Sequence, residues 1–472
     1  MARLLYKINI ALLFLVIIAL CLQFKVGHFL TQIFTKLEIP TDIDSEEPQH
    51  WHNDKHVLLL KTESYNANTT TKFNASAHFH LEFISICHIN KVPVIMLDPA
   101  LVQNNVTTSY NLRLGLFNSS LVSYGIKSDD LTQPLMDKLY HALAVNNYNI
   151  TLLKGVDKKG EHYLYHVFLK TKVSNTTAPS IKQWIHIAII HHRHGKYYWI
   201  GPLLEGNHAK KHPPVKSISF PAAFDSFDVT TSDIPGLYVP SSPSKYLSNL
   251  KHSKFIPCNR TRADEFNAAN SKQTSKHNAD TTAKKAQQIL QATKAVFDEV
   301  GMKYWLVGGT LLGWYRQCGF IAHTTDVDVG AWIADLNPEL ETLLKRKGQP
   351  IRLMYHFGKP EDGLEFAVQG FGIKMDIFFH YIESNYTWVG GIRSWSLEKL
   401  RWLYPTNITL CSAELFEDLY LVPCDSQAYI EADYGPNWML PDDKWTWDRS
   451  APNMVEAGKF AKSERSKVVQ IL

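Results

Sequence analysis

The stretch between residues 304 and 333 constrains the fold of this chain more than any other. Residues 304–307 are short and apolar, as in a buried strand, and they end in Gly308-Gly309-Thr310. Residues 310–316 have the pattern of a helix, and residues 326–333 have the pattern of a second strand. A strand, a glycine turn, a helix and a further strand in this order predict an α/β fold with helices packed on a mixed sheet.

Asp326 and Asp328 lie two residues apart in the second predicted strand. Side chains alternate between the faces of a sheet, so both carboxylates are expected on one face. Paired hard oxygen ligands suit Mg²⁺ or Mn²⁺. Asp376, in a later alternating segment, is predicted to complete the metal site or to act as general base on an acceptor hydroxyl. Solvated strand-end carboxylates are the alternative reading of the pair.

Gly308, Gly309 and Thr310 have the character of a phosphate-binding turn. Glycine permits close approach of the backbone to a phosphate, and the following helix offers free N–H groups and the positive end of its dipole. Arg316, in the same predicted helix, is a candidate for a bidentate phosphate contact. A surface ion pair is the alternative for this arginine.

The rest of the C-terminal half continues the same pattern. A helix is predicted over residues 286–300, because apolar residues recur there at helical spacing and Gly301 follows. Asn337-Pro338 is typical of a helix start, and Gly348 of its end. We therefore predict a nucleotidyltransferase-like domain over residues 283–472, with further strands at 351–356, 365–371 and 373–380.

The region before this domain is less regular. Residues 259–282 are polar and are predicted to be a linker or the frayed start of a helix. Residues 56–258 contain several short apolar segments and are predicted to form a smaller mixed α/β or β-rich lumenal domain. His191, His192 and His194 lie at a predicted hairpin tip without a carboxylate or cysteine at ligand spacing, which favours a solvated tip over a metal site.

The N-terminus predicts a membrane anchor. Residues 8–24 are almost entirely apolar, near the lower length limit for a membrane-spanning helix. They are longer than the usual apolar region of a signal peptide, although a cleaved signal peptide is the alternative. Residues 1–7 are then a cytoplasmic tail and residues 25–55 a stem.

Asparagine glycosylation motifs indicate on which side of the membrane the body of the protein lies. Asn-x-Ser/Thr occurs at nine positions, several times more often than chance placement would give. A short cytoplasmic tail, one anchor and a lumenal body describe a type II membrane protein, a common layout of Golgi glycan enzymes. The nine motifs begin at Asn68, Asn74, Asn105, Asn118, Asn149, Asn175, Asn259, Asn385 and Asn407.

The chain has six cysteines in 472 residues. This is too few for a disulfide scaffold, so disulfides are expected to support a fold that is held mainly by its core. Cys21 lies in the predicted anchor, which leaves an odd number in the lumenal body, so at least one is expected to be unpaired, intermolecular or bound to metal. Cys411 and Cys424 are close enough in sequence to pair. The formal net charge of +4 is mild, and without a basic and aromatic stripe it does not favour nucleic acid as a partner.

Two segments carry a specific resemblance. Residues 309–318 together with 326–330, and residues 429–438, resemble the signature blocks of the LicD phosphotransferase family. The LicD resemblance alone covers residues 285–450. A resemblance to one member of that family spans nearly the whole lumenal chain, with further matching stretches at residues 93–99, 220–225, 255–258 and 446–450.

The resemblance implies a Golgi membrane enzyme that uses CDP-ribitol as donor and Mg²⁺ or Mn²⁺ as cofactor. Such an enzyme transfers ribitol 5-phosphate to the O-mannosyl glycan of α-dystroglycan and releases CMP. It implies Asp326 and Asp328 as metal ligands and residues 308–310 as the phosphate turn. A complex with related Golgi transferases, or a homo-oligomer, is a further expectation.

The chain departs from this pattern at one position. Some LicD relatives have three alternating aspartates, and Thr324 stands here where the first would be. The third carboxylate is therefore expected from Asp376. Two other functions fit the sequence: a metal-dependent glycosyltransferase that moves a sugar and no phosphate, and a non-catalytic adaptor that recruits a partner transferase.

Overall fold

The structure is a computed structural model. It describes residues 67–104, 120–156, 162–171, 183–203, 213–216, 218–270, 276–322, 324–405 and 407–472. The predicted tail, anchor and stem lie outside these residues. Within them, no helix has the length and apolar character needed to cross a membrane. Tyr65–Leu472 forms one compact unit.

The first half of the described chain folds around a mixed sheet. Its path runs β3-β4-β5-β2-β1-β9-β8, and β6 and β7 extend it from β5. Two neighbouring pairs are parallel, β2 with β5 and β1 with β9, and the other pairs are antiparallel. These strands are β1 Val94–Met96, β2 Leu121–Lys127, β3 Tyr148–Val156, β4 His162–Thr171, β5 Trp184–Arg193, β6 Tyr197–Ile200, β7 Ala222–Asp225, β8 Val229–Thr231 and β9 Leu237–Pro240.

The second half contains a larger mixed sheet. Its path runs β17-β18-β10-β11-β14-β13-β12-β20, and β15, β16 and β19 branch from β14. The pairs β10–β18 and β11–β14 are parallel. The strands are β10 Trp305–Leu306, β11 Asp326–Trp332, β12 Ile351–Lys359, β13 Asp362–Gly370, β14 Ile373–Ile382, β15 Thr387–Arg393, β16 Glu398–Tyr404, β17 Leu410–Leu415, β18 Asp418–Pro423, β19 Met454–Lys459 and β20 Val469–Ile471.

Helices pack on both sheets. In the described residues they are α1 Ala67–Ile89, α2 Pro99–Gln103, α3 Gln133–Val145, α4 Pro243–Leu250, α5 Arg260–Ala269, α6 Lys276–Glu299, α7 Gly308–Gln317, α8 Glu339–Lys345, α9 Ser426–Tyr434 and α10 Arg465–Val468, with 3₁₀ turns at Ser128–Asp130, Ile333–Asp335 and Lys462–Glu464. Each sheet has its own large apolar core. The predicted α/β class with mixed sheets is confirmed.

The predicted helices and strands of the C-terminal half are present, with shifted ends. Helix α6 ends at Glu299, and Gly301 follows with a φ of +72°, as its predicted stop requires. Helix α7 begins at Gly308, so the predicted glycine turn is itself the first turn of the helix. Strands β12, β13 and β14 each extend beyond the predicted segment.

The polar stretch between the halves is more ordered than a linker. Helix α5 occupies Arg260–Ala269, and the Asn259 side chain caps it by accepting the Arg262 N–H at 3.0 Å. Ala263 and Phe266, three residues apart, supply its buried side. The predicted domain limits at 259–282 stay a prediction, although the two sheets do lie on either side of them.

Two disulfides join elements of the C-terminal half. The Cys411–Cys424 pair, which the short sequence separation allowed, links β17 to the residue after β18, with a Cα–Cα distance of 5.0 Å. The second disulfide, Cys258–Cys318, was not suggested by sequence spacing. It ties the chain two residues before α5 to the residue after α7, with a Cα–Cα distance of 5.6 Å. Cys87 is buried and unpaired, which accounts for the odd cysteine.

The hairpin between β5 and β6 lies against the second sheet. The His194 imidazole is 3.3 Å from the Glu414 carboxylate, and the Tyr197 hydroxyl donates a hydrogen bond to the same carboxylate. The tip is solvated as predicted, since His192, His194 and the two residues that follow are exposed, although His194 also contacts Glu414. The sequence offers no local signal for this contact, because Glu414 lies 220 residues away.

Candidate functional site

The three predicted carboxylates come together on one face of the second sheet. Strand β11 runs parallel to β14 in a register that places Asp328 opposite Asp376. Asp326 shares the face of Asp328 because side chains alternate along a strand. One ligand oxygen from each of the three residues can be chosen so that all lie within 4.8 Å of one another.

The start of helix α7 is fastened to this carboxylate cluster. The Gly309 N–H donates to Asp328 Oδ2 at 3.0 Å, and the Asp328 N–H donates to Thr310 Oγ1 at 2.8 Å. Gly308 has a φ of +50°, and a Cβ there would lie 2.8 Å from Asp328 Oδ2. This position therefore requires glycine, and the helix N-terminus faces the carboxylates.

A lysine lies among these carboxylates. Lys374 Nζ is 2.6 Å from Asp376 Oδ2 and 3.4 Å from Asp326 Oδ2. Sequence reasoning missed this residue, although its spacing of two from Asp376 in one strand already places both side chains on the same face.

A fourth carboxylate, Glu365, comes from the neighbouring strand β13. Ala367 pairs with Asp376 in the antiparallel register of β13 and β14, so Glu365, two residues away, shares the face of Asp376. No local sequence signal identifies Glu365, because its position depends on the pairing register of two strands.

The charges in this cluster shift each other's protonation. Burial raises the pKa of Asp328 well above its usual value, and the neighbouring Asp326 and Asp376 raise it further. Burial and the Asp376 charge raise the pKa of Glu365 to about 8. Burial disfavours the charged form of Lys374, but the attraction and hydrogen bond of Asp376 raise its pKa above the usual value. These raised pKa values are expected where several carboxyl groups crowd one site and a single lysine offsets their charge.

The donor set fits a divalent cation. Ligand oxygens lie about 2.0–2.1 Å from Mg²⁺, so oxygens on opposite sides of the ion are about 4 Å apart. The three carboxylates bring one oxygen each within 4.8 Å of the others, which is close to this spacing. Carboxylate oxygens are the ligands that Mg²⁺ and Mn²⁺ prefer. Asp326, Asp328 and Asp376 are thus the residues able to hold such an ion, and among the described residues they form the one acidic group with this geometry.

Arg316 lies in helix α7 but is packed differently from the prediction. Its guanidinium is buried over the Phe266 ring at 4.3 Å, and Nη1 donates to the Trp438 carbonyl at 3.4 Å. Its Nε has no hydrogen-bond partner among the described residues. Burial lowers the pKa of Arg316 to about 10. With the described residues Arg316 forms no surface ion pair, and a direct phosphate contact stays a prediction.

A second layer of polar side chains lies beneath the site. The Asp433 carboxylate, at the end of α9, accepts the Tyr404 hydroxyl at 2.8 Å, and the Tyr429 hydroxyl lies 2.9 Å from His380 Nε2. The Tyr404 and Tyr429 rings stack at 4.2 Å. These contacts join α9 to strands β14 and β16, and so fix the position of Tyr434 at the end of the helix.

Comparison with known families agrees with this geometry. Residues 301–410 match the family described as LicD/FKTN/FKRP, nucleotidyltransferase domain, and residues 180–287 match the family described as Fukutin N-terminal. The resemblance to the LicD family predicted from the sequence is confirmed. The first match contains all the predicted site residues.

Individual relatives extend the similarity. The chain is 36% identical to the Mus musculus protein named Ribitol-5-phosphate transferase FKTN and 35% identical to the Homo sapiens protein of that name, each over 296 residues. These matches cover 61% of this chain and 63% of each relative. An uncharacterised Caenorhabditis elegans protein is 29% identical over 51% of this chain and 64% of its own. The solved Megavirus polyadenylate synthase, at 10% identity over 70% of this chain and 68% of its own, aligns with a TM-score of only 0.21, too low to bear on the fold.

Proposed function

We propose that this chain is a metal-dependent phosphotransferase that moves ribitol 5-phosphate from CDP-ribitol to the O-mannosyl glycan of α-dystroglycan and releases CMP. The observation that carries the proposal is the cluster of Asp326, Asp328 and Asp376 in front of a glycine-rich helix N-terminus. The similar proteins named ribitol-5-phosphate transferase support the choice of transferred group.

The protein side chains have distinct tasks in this reaction. Asp326, Asp328 and Asp376 would hold Mg²⁺ or Mn²⁺, which supplies neutralisation of the phosphate charge when bound. Gly309 leaves the backbone open to the donor phosphate, and the dipole of α7 favours the negative charge there. Lys374 lies close enough to the carboxylates to offset their charge and that of the incoming diphosphate.

The transfer step exchanges one phosphorus–oxygen bond for another. The acceptor hydroxyl oxygen attacks the phosphorus that carries ribitol, and the bond from that phosphorus to the CMP oxygen breaks. The hydroxyl proton passes to a carboxylate of the site. Glu365 is a candidate for this role, because it shares the sheet face of Asp376 beside the metal-binding carboxylates.

The proposed compartment is the Golgi lumen, with the chain held by a single N-terminal anchor. Asn149, Asn259, Asn385 and Asn407, the four glycosylation-motif asparagines whose exposure the structure describes, are all exposed. Disulfides Cys258–Cys318 and Cys411–Cys424 suit an oxidising compartment. Both observations support a lumenal site of action.

The mass of the reaction product tests the proposal. The full chain is incubated with CDP-ribitol, Mg²⁺ and a synthetic O-mannosyl glycan acceptor, and the acceptor is weighed by mass spectrometry. The expected gain is one ribitol phosphate. Changing both Asp326 and Asp328 to Asn should abolish the gain, whereas Asp335→Asn, at an exposed carboxylate just beyond β11, should not.

Other outcomes would overturn the proposal. A mass gain of a sugar without phosphorus, from a nucleotide-sugar donor, would identify a glycosyltransferase. Full glycan extension in cells that express only the double Asn variant would identify an adaptor for another enzyme.

A further inference from the structure

The space beside Gly309 is bounded by three side-chain oxygens. A Cβ placed on Gly309 would lie 3.4 Å from Asp328 Oδ2, 3.9 Å from Tyr434 Oη and 4.0 Å from Thr324 Oγ1. These are ordinary contact distances, so the space is open and holds an atom without displacing its walls. Two of the three walls are hydroxyl groups that sequence reasoning had not assigned to the site.

Both hydroxyls are available to a ligand. In the described part of the chain, neither Thr324 Oγ1 nor Tyr434 Oη makes a hydrogen bond to another protein group. Both residues are partly buried, and each hydroxyl oxygen lies within 4.0 Å of the Cβ position at Gly309. A hydroxyl has one O–H donor that rotates to suit its partner, and here the metal-binding carboxylates are the neighbouring anions.

Tyr434 lies between groups of opposite charge. Burial raises the pKa of its hydroxyl well above the usual value, with Asp433 and Asp328 as further causes, whereas the Arg316 guanidinium lowers it. The hydroxyl is thus a neutral donor that stands between the carboxylate cluster and a buried cation. This is the arrangement expected where an anionic group bridges a metal site and a positive side chain.

Thr324, in another segment of the chain, also places a neutral hydroxyl beside Gly309. It lies two residues before Asp326 and brings this hydroxyl to within 4.0 Å of the Cβ position at Gly309. An aspartate here would add a further carboxylate to a space that already contacts Asp328. A hydroxyl keeps this side of the space able to donate to a phosphate oxygen.

We propose that the Tyr434 and Thr324 hydroxyls bind the donor diphosphate, each donating a hydrogen bond to a non-bridging phosphate oxygen held over Gly309. This inference rests on the proposed transferase function and adds two phosphate ligands to it. The two residues come from different elements, Tyr434 from the end of α9 and Thr324 from the loop before β11.

Isothermal titration of the full chain with phosphate-bearing and phosphate-free ligands tests the assignment. Tyr434→Phe and Thr324→Val each remove one hydroxyl and little else. Each should weaken binding of CDP and of inorganic pyrophosphate, both with Mg²⁺, by about 10-fold or more, since a hydrogen bond to a charged group contributes about 1.5–3 kcal/mol. Tyr315→Phe is the matched control, because the Tyr315 hydroxyl donates at 3.3 Å to an exposed Gln427.

The ligand pair separates phosphate binding from a structural effect. Any binding of cytidine, which has no phosphate, should be the same for wild type and variants, and thermal unfolding should be unchanged. Wild-type affinity for CDP and pyrophosphate in both variants would overturn the assignment of the hydroxyls. The proposed transferase function would survive that result, because the product-mass assay on the wild-type chain tests it separately.

Discussion

The Asp433 carboxyl is buried beneath the candidate site, where it accepts hydrogen bonds from the Tyr404 hydroxyl at 2.8 Å and the Asn453 amide at 3.2 Å. Burial raises its pKa to about 7, although the two hydrogen bonds act to lower it. The folded protein therefore keeps a proton on Asp433 at pH values where the unfolded chain has lost it. Stability from this group is complete below its unfolded pKa and is lost as the pH rises to about 7.

Asp433→Asn should remove this pH dependence. The asparagine cannot ionise, so the variant does not lose stability as the pH rises. The free energy of unfolding of the variant minus that of wild type should therefore increase by about 2–3 kcal/mol from about pH 5 to about pH 7.5. Urea unfolding at the two pH values measures the difference. Asp443→Asn, at an exposed carboxylate, should show no such change. An equal difference between Asp433→Asn and wild type at both pH values would contradict the prediction.

At the scale of single elements, the two glycines that begin α7 make different demands on the fold. A Cβ on Gly308 would clash with Asp328 Oδ2. Any residue substituted there would also have to adopt a φ of +50°. A Cβ on Gly309 meets nothing closer than 3.4 Å. The first glycine is required by the structure, whereas the second keeps open the space proposed for the donor phosphate.

Alanine at each position separates these roles. Gly308→Ala should destabilise the protein by about 1–3 kcal/mol because of the strained backbone and the clash. Gly309→Ala should leave thermal stability unchanged or slightly higher, since alanine favours helix by up to about 1 kcal/mol. It should nevertheless lower transfer of ribitol phosphate at least 10-fold. Full activity of Gly309→Ala would show that no phosphate occupies the space.

Elements with local signals were predictable from the sequence, and contacts that depend on distant pairing were not. The order of β10, α7 and β11 follows from apolar runs and glycines, and Asp326 and Asp328 follow from alternation within one strand. The meeting of Asp376 with Asp328 was inferred only from order, because it requires the β11–β14 register. Glu365 depends on one more register, between β13 and β14, and it was missed.

At the scale of the whole molecule, the two sheets are joined by a contact that combines apolar packing with ion pairs. Tyr197, Ala223, Phe255 and Leu419 form a small buried cluster between them. Beside it, the Glu414 carboxylate accepts the Tyr197 hydroxyl and lies 3.9 Å from Arg193 Nη1. Lys196, in the β5–β6 hairpin, forms an ion pair with Asp418 of β18, with Nζ 2.9 Å from Oδ1. The β5–β6 hairpin thus attaches the first half of the chain to β17 and β18.

Glu414→Gln should weaken this attachment. The change keeps the shape of the side chain but removes a charge that is 24% exposed and shared by several donors. We expect a loss of about 1–2 kcal/mol in the free energy of unfolding, measured by urea and tryptophan fluorescence. Glu417→Gln is the matched control, because this carboxylate is 66% exposed and its contact with His194 is long, at 3.9 Å. The free energy of unfolding of this variant should fall by less than about 0.5 kcal/mol. Equal losses in the two variants would mean that the Glu414 contacts stabilise the junction of the two sheets no more than an ordinary surface pair does.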